Sequence, residues 1–305
     1  MPSIVVLGDL ALDVVLTPDR SIEMGTDVPG RVSLRQGGSA ATTARWLARL
    51  GARSTLVCAI GRDGIGRALV KTLEADGVRV RAVRSAIAPT GRIGVLVAPS
   101  GERSFVADRG AANGLRPQDL SPSWFDDAVL LHLPAYSLIG EPLASASRSA
   151  IQVMRANGGR VSLDLASIGP LMSAGRREAA ALVESASPDI LFATGAEARA
   201  VLAGRPLERL LDFAPIAVVK QGANGATTLA READNRLRFE FAAPTLLAGD
   251  TTGAGDAFDA GFLVSWLGSA AAGRSTTASL QRAALAGHRA AARQLSAPRV
   301  ELRLG

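Results

Sequence analysis

The chain has 305 residues, 48% hydrophobic and 20% charged, with 34 Lys and Arg against 28 Asp and Glu and a formal net charge of +6. Its single cysteine, Cys58, excludes an internal disulfide and a cysteine-based zinc cluster, and its two histidines exclude a histidine-rich metal site. The charges are interspersed and aromatic residues make up only 4%, so the basic, aromatic-lined groove of a nucleic-acid binder is missing, and no apolar run is long enough to cross a membrane. A short apolar N-terminal run without a basic leader reads as a first strand, and the chain as a soluble cytoplasmic protein.

Residues 4–7 form a continuous apolar run ending in Gly8-Asp9, which predicts a central buried strand with Asp9 and Asp13 at or near its carboxyl end. From 12 to 36 the pattern breaks into short strand-like pieces around Pro18, Gly25, Pro29 and Gly30, an excursion that reads as half of a small β-lid. Gly37-Gly38 opens a helix through Ala41, Ala44, Trp46, Leu47 and Leu50, stopped by Gly51. A strand at 54–60 and a helix through Leu69, Val70 and Leu73 follow, ending at Gly77. Residues 92–98 and 103–107 flank Pro99-Ser100-Gly101-Glu102 and predict a hairpin that completes the lid, giving it the spans 12–36 and 91–109. Beyond it, apolar strands at 129–133, 160–163, 190–192 and 216–219 alternate with helical stretches at 141–156, 174–185, 196–202 and 207–213. A hairpin at 227–229 and 237–241 and two alanine-rich helices, 254–267 and 277–294, close the chain. This order predicts one α/β domain over 1–305: a doubly wound, mainly parallel sheet with helices on both faces, carrying the inserted lid.

The stretch Asp250-Thr251-Thr252-Gly253-Ala254-Gly255-Asp256 is a loop of small residues running into the first alanine-rich helix. The N–H groups of Gly253, Ala254 and Gly255 then lie at a helix N-terminus, where they lack intrahelical partners and the helix dipole favours an anion, phosphate above all. Asp256 falls in the first helical turn. Taken alone it is either an acidic cap or a base beside a transferring phosphoryl group, a role that contributes roughly a hundred- to ten-thousand-fold in rate.

Extended by Ala260-Gly261-Phe262-Leu263, this stretch resembles the C-terminal signature of the ribokinase-like (PfkB) carbohydrate kinases. Gly37-Gly38-Ser39-Ala40-Ala41, with Ala44, Gly51 and Gly61, is similar to the N-terminal signature of that family, and the lid and element order are similar as well. The resemblance implies transfer of the γ-phosphoryl group of ATP to a hydroxyl of a small sugar or sugar derivative. Asp256 would be the base, and Gly253, Ala254 and Gly255 the anion hole. Asp13 matches an aspartate that holds substrate hydroxyls, and Gly37 and Gly38 match glycines where backbone meets substrate. Thr42 stands where the family commonly has Asn; it keeps a hydroxyl but not the paired donor and acceptor, which weakens an assignment to ribose or fructose.

Thr194-Gly195-Ala196-Glu197 occupies the place of an Asn-x-x-Glu motif, which implies that Glu197 organises Mg2+ through water. Lys220-Gln221-Gly222-Ala223-Asn224-Gly225 resembles the nucleotide loop, with Lys220 near phosphate or at the surface and Gly222 and Gly225 passing close to the nucleotide. His288 lies near the expected adenine pocket or simply packs, and Tyr136 and His132 either reach the substrate or sit at its rim. Asp164 ends a strand, but Ala166 and Ile168 break the family's Asp-x-Asn-x-Arg pattern, so no site is read there. Asp250 and the Thr252 carbonyl match part of a monovalent-cation site whose other half, expected at 294–299, has no readable pattern. The resemblance thus allows K+ without requiring it. It also implies a homodimer through the lid, which Val28, Val32 and Leu34 permit.

Two other readings stay open. A nucleoside acceptor calls for flat side chains, of which the lid offers Phe105 alone, and a non-catalytic sugar- or nucleotide-binding sensor does not need an intact Asp256 and Glu197. A nicotinamide-dependent dehydrogenase is excluded because no G-x-G-x-x-G follows the first strand, and a P-loop enzyme for want of G-x-x-x-x-G-K-[ST].

Overall fold

The structure, a computed structural model, describes residues 1–305 apart from 101, 233–234, 245–249, 299 and 304–305. Gly101 of the predicted lid turn and Arg299 of the expected cation segment therefore lie outside the described residues.

The first apolar run forms β1 (Ser3–Leu7), followed by β2 (Ala11–Pro18) and β3 (Gly30–Gly37). Helix α1 (Ser39–Arg49), β4 (Arg53–Gly61), α2 (Gly64–Ala75) and β5 (Arg79–Ser85) come next, then β6 (Gly91–Val97) and β7 (Arg103–Asp108). The second half alternates through β8 (Leu130–Pro134), α3 (Leu143–Ala156), β9 (Arg160–Asp164), α4 (Ile168–Met172), α5 (Arg176–Ala186), β10 (Ile190–Thr194), α6 (Gly195–Leu202) and β11 (Ile216–Lys220). The pair β12 (Ala226–Glu232) and β13 (Asn235–Phe241) and the helices α7 (Ala254–Ala271) and α8 (Thr276–Ser296) complete it.

Among the described residues nine strands form one sheet in the order β13-β12-β11-β10-β9-β8-β1-β4-β5, parallel from β11 to β5 and antiparallel at the β12 and β13 edge. The central strands are buried on both faces, which is why they read as unbroken apolar runs and not as alternations. One set of side chains, including Val6, Leu56 and Ile60, packs with Leu47 of α1, Phe262 of α7 and Leu280 of α8. The opposite set, including Val5, Leu7 and Val57, packs with Met154 of α3 and Val183 of α5. The chain leaves β1 towards β4 on one side and β8 on the other. That reversal of strand order opens a crevice at the carboxyl ends of the strands.

The lid is a second sheet, β3-β2-β6-β7, with β2 antiparallel to β3, parallel to β6, and β7 closing the hairpin on β6. Its period of two sends Asp13 and Val15 of β2, Ile93 and Val95 of β6, and Arg103 and Phe105 of β7 to the crevice. The lid is anchored at its root by Asp63, which caps α2 through the Gly66 N–H at 2.8 Å and also accepts the Thr90 N–H and hydroxyl at 2.7 Å each. Those bonds hold its carboxyl below the usual range against the opposing effect of burial.

Two elements depart from expectation. Strand β5 is an edge strand whose Arg79, Arg81 and Arg84 interrupt any apolar run, and its charges suit an exposed edge. The helix expected at 207–213 is a 3₁₀ segment, Leu207–Asp212, too short for α-helical bonding to propagate, and it buries Leu210 and Leu211.

Candidate active site

The carboxyl ends of the parallel strands, the N-terminus of α7 and the underside of the lid enclose a cavity of about 1870 Å³. Asp9 follows β1 there, Asp164 ends β9, Thr194 ends β10 and Lys220 ends β11. Of the residues read from sequence, Asp13, Gly37, Gly38 and Thr42 line it from the lid and α1. Gly253, Gly255 and Asp256 line it from the start of α7, Asp250 and Thr252 from the loop before it, and Thr194, Glu197 and Lys220 from the ends of β10 and β11 and the first turn of α6.

Asp256 sits in the first turn of α7, whose N-cap is Gly253 with φ +74°, a left-handed conformation that favours glycine. A side chain at Gly253 would also stand 2.9 Å from Gln294 Nε2 and 3.1 Å from the Thr42 methyl. Ser39 Oγ donates to Asp256 Oδ1 at 2.5 Å. Burial pushes the Asp256 carboxyl up to about 7; Asp164 and Asp9 add to the rise, while the Ser39 hydrogen bond and Lys220 oppose it. The three expected backbone donors are not equivalent. The Ala254 N–H is turned onto the Thr251 carbonyl at 3.2 Å, which leaves Gly253 and Gly255 as the two that line the cavity.

Beneath Gly255 lies Lys220, its ammonium 3.5 Å from where a Gly255 side chain would begin. Lys220 Nζ donates to Asp164 Oδ1 at 3.1 Å and to both oxygens of Asp259 at 3.0 and 2.9 Å. Burial works against its charge, but Asp164 and Asp259 outweigh it and hold the ammonium protonated. Lys220 is thus neither a surface lysine nor a loose arm for phosphate: it is a fixed positive charge under the loop. Glu197 and Thr194 form a reciprocal cap on α6, the Glu197 carboxylate accepting the Thr194 N–H at 2.7 Å and the Thr194 hydroxyl accepting the Glu197 N–H at 3.2 Å. Burial, then the Asp164 charge, raises the Glu197 carboxyl.

On the lid side, the Asp13 carboxylate lies on the Cα of Gly37, where any side chain would meet its Oδ1 at 1.8 Å. Burial lifts Asp13 to about 7, Asp9 and Asp250 adding to the rise and Arg35 opposing it. The Thr42 hydroxyl donates to the Gly38 carbonyl one helical turn back at 2.9 Å, so its donor faces backbone and not the cavity.

Five further residues read from sequence do not line the cavity. The Tyr136 hydroxyl donates to Asp9 at 2.6 Å with Arg109 stacked 4.1 Å over its ring, so it braces Asp9 from behind. His288 is buried edge-on against Phe258, 5.1 Å between centroids; burial lowers its pKa, and a bond to the Phe241 backbone opposes that shift. Gly225 is a glycine because the Phe241 carbonyl would lie 1.8 Å from any side chain, whereas Gly222 faces open surface. His132 is enclosed between Ser162 Oγ at 2.9 Å and Phe192, away from the cavity.

The pfkB family carbohydrate kinase model matches residues 1–300. The chain belongs to this family. It is similar to a fructokinase of Klebsiella pneumoniae, 32% identical over 272 residues that cover 85% of this chain and 82% of the relative. It is also similar to an ATP-dependent ribose-1-phosphate kinase of Halopiger xanaduensis, 31% identical over 275 residues, 85% of this chain and 83% of the relative. Among solved structures, the adenosine kinase from Sinorhizobium meliloti superposes with a TM-score of 0.82 at 24% identity, over 99% of this chain and 97% of that one.

In this pfkB family kinase several cavity residues escape a reading by signature. Asp9 stands at the expected strand end and Ser39 lies within the N-terminal signature, but the bonds of Ser39 to Asp256 and of Tyr136 and Arg109 to Asp9 are set by the fold. Asp259, fully buried behind the cavity, carries a signal that sequence does hold: it lies three residues after Asp256 on an otherwise apolar helix, where a buried carboxylate requires a cationic partner. Arg35, Arg103 and Arg109 are lid or lid-edge arginines with no distinguishing pattern.

Proposed function

We propose that this pfkB family kinase transfers the γ-phosphoryl group of ATP to a hydroxyl of a small sugar or sugar derivative. The observation that carries the reading is the setting of Asp256: a desolvated carboxyl lifted to about 7, open to the cavity beside the Gly253 and Gly255 N–H groups. ATP supplies the phosphoryl group, and Mg2+, when bound, would screen its oxygens. The cavity offers hard carboxylate donors of the kind magnesium uses, Glu197 and Asp164.

In this mechanism Asp13 accepts hydrogen bonds from acceptor hydroxyls and presents one of them to Asp256. The Asp256 carboxylate takes that hydroxyl's proton as the oxygen attacks the γ-phosphorus. Gly253, Gly255 and the charge of Lys220 beneath them stabilise negative charge that moves onto the departing phosphate. Ser39 keeps the carboxylate in one rotamer. The lid, laid over the crevice by β2, β6 and β7, excludes water that would otherwise compete as acceptor.

The test is an ADP-release screen with Mg-ATP over sugars, sugar phosphates, sugar acids and nucleosides. Turnover on a sugar class is expected; silence across the panel would overturn the kinase reading in favour of a sensor. A nucleoside is the second reading, favoured by Phe105, whose ring borders the cavity and is 60% exposed for stacking.

The pH profile follows from the base. Asp256 works only when ionised, so this group by itself makes kcat/KM climb about tenfold per pH unit below about 7 and then level, and a requirement for ionised Asp13 steepens the climb. Asp13 ionises in the same range, so the inflections measured belong to the two carboxylates together. A profile flat between about pH 5.5 and pH 8.5 would remove Asp256 from the role. Whether copies pair through the lid is read by sedimentation; the outward Val32, 61% exposed, is the position at which Val32→Glu should dissociate such a dimer.

A further inference from the structure

The loop that carries Gly253 and Gly255 is gripped from the lid by two arginines. Arg35 on β3 donates to Asp250 Oδ2 at 2.9 Å, and Arg103 on β7 lies 3.1 Å from Asp250 Oδ1. The Arg103 guanidinium also donates to the hydroxyls of Thr252 at 2.7 Å and Thr251 at 3.2 Å. Its side chain is only 13% exposed, so this fork is shielded from water and fixed in orientation. From the opposite side Gln294 Nε2 donates to the Thr252 carbonyl at 2.8 Å, and Trp46 Nε1 fixes Gln294 by donating to its Oε1 at 3.0 Å.

These contacts bear on the monovalent ion implied by the resemblance at Asp250 and the Thr252 carbonyl. The residues present do not fit it. On this half of the site every oxygen already accepts from a donor: Asp250 Oδ1 from the Thr252 N–H at 3.0 Å, Oδ2 from Arg35, and the Thr252 carbonyl from Gln294. An ion there would also stand against two guanidinium charges. The register makes the arrangement specific. Arg35 lies opposite Asp13 and Arg103 opposite Val97, on the cavity face of the lid, and a slip of one residue would turn each arginine outwards.

We propose that Arg35 and Arg103 are the resident cations of this loop. They neutralise Asp250, hold the backbone donors of Gly253 and Gly255 in place when the lid lies closed, and make phosphoryl transfer independent of K+. The proposal rests on the kinase reading. Both arginines are positioning residues, since they act through the loop. Removing the fork takes both guanidinium charges away from Asp250 and the Thr252 hydroxyl, so dependence on K+ should appear in the variants while the natural chain has none.

The experiment compares the full chain with Arg103→Gln, Arg103→Lys and Arg35→Gln/Arg103→Gln. Turnover is measured in KCl and in tetramethylammonium chloride at equal ionic strength. Tl+ binding is followed by thallium NMR, and amide exchange at 251–255 by mass spectrometry. For the natural chain we expect turnover within about twofold in the two salts and no Tl+ uptake at millimolar concentration. In the double Gln variant KM for ATP should rise about tenfold more than kcat falls, exchange at 251–255 should quicken, and K+ should restore part of the loss. Arg103→Lys, which keeps the charge without the fork, should fall between the two.

Activation of the natural chain by K+ of about fivefold or more, or Tl+ binding abolished by Asp250→Asn, would overturn the proposal. Should the Gln variants fail to fold, the salt comparison and Tl+ titration of the natural chain decide it alone. Tl+ binding and amide exchange need no turnover, so a chain that releases no ADP with any acceptor refutes the kinase reading while these two still judge the fork.

Discussion

Asp256→Asn is expected to lower turnover by about a thousandfold, close to 4 kcal/mol in the activation barrier, with the affinity for ATP changed by no more than about threefold. The amide keeps the shape and still accepts the Ser39 hydroxyl, so the difference isolates the loss of a proton acceptor. The loop carrying Gly253 and Gly255 is held by Asp250, Arg103 and Gln294, none of which contacts Asp256, so ATP binding should survive. The substitution also removes a carboxylate that burial disfavours. A group with a folded pKa of about 7 and an ordinary unfolded value contributes stability that is complete in acid and lost as pH rises through the folded value. At pH 8 the Asn variant should therefore melt no lower than the natural chain, which separates a failed reaction from a failed fold. Single-turnover kinetics and calorimetric titration with ATP check both halves, and near-normal turnover would exclude Asp256 as the base.

Asp13→Ala should reduce kcat/KM for the acceptor by about a hundred- to a thousandfold, mostly through KM, while KM for ATP stays within about threefold. Hydrogen bonds from neutral hydroxyls to a charged group contribute about 1.5–3 kcal/mol each, and a carboxylate can accept two at once from a sugar edge. Asp13 is preorganised for that task because β2 delivers it to the cavity and Gly37 offers it a surface without a side chain. Gly37→Ala should act in the same direction, since its methyl would occupy the place of Asp13 Oδ1. Initial rates with acceptor and ATP varied separately read the split, and an unchanged acceptor KM and turnover in Asp13→Ala would remove it from the substrate site.

Tyr136 and Lys220 show where reading by sequence stopped. Tyr136 follows an expected strand by two residues and Lys220 ends one, which brings each near the crevice. Its partner, however, comes from a distant element: Asp9 for Tyr136, Asp164 and Asp259 for Lys220. Strand ends follow from local apolar runs, whereas a buried polar side chain takes its role from whichever group satisfies it. Thr42 is the reverse case, its hydroxyl satisfied one helical turn away, a bond that helix spacing alone makes available.

The doubly wound order, the two halves of the lid and the loop from Asp250 to Asp256 are properties of the sequence itself. Continuous apolar strands must be covered on both faces by the helices between them, and small residues before a helix leave backbone donors unpartnered. Only the tertiary structure decides what surrounds that loop. The lid register turns Arg35 and Arg103 onto Asp250, and the strand order sets Lys220 between two carboxylates beneath Gly255. Burial, which no single position in the chain encodes, lifts Asp13 and Asp256 to about 7. Charge and desolvation act through space over a few ångströms, and residues that close here are more than two hundred positions apart in the chain.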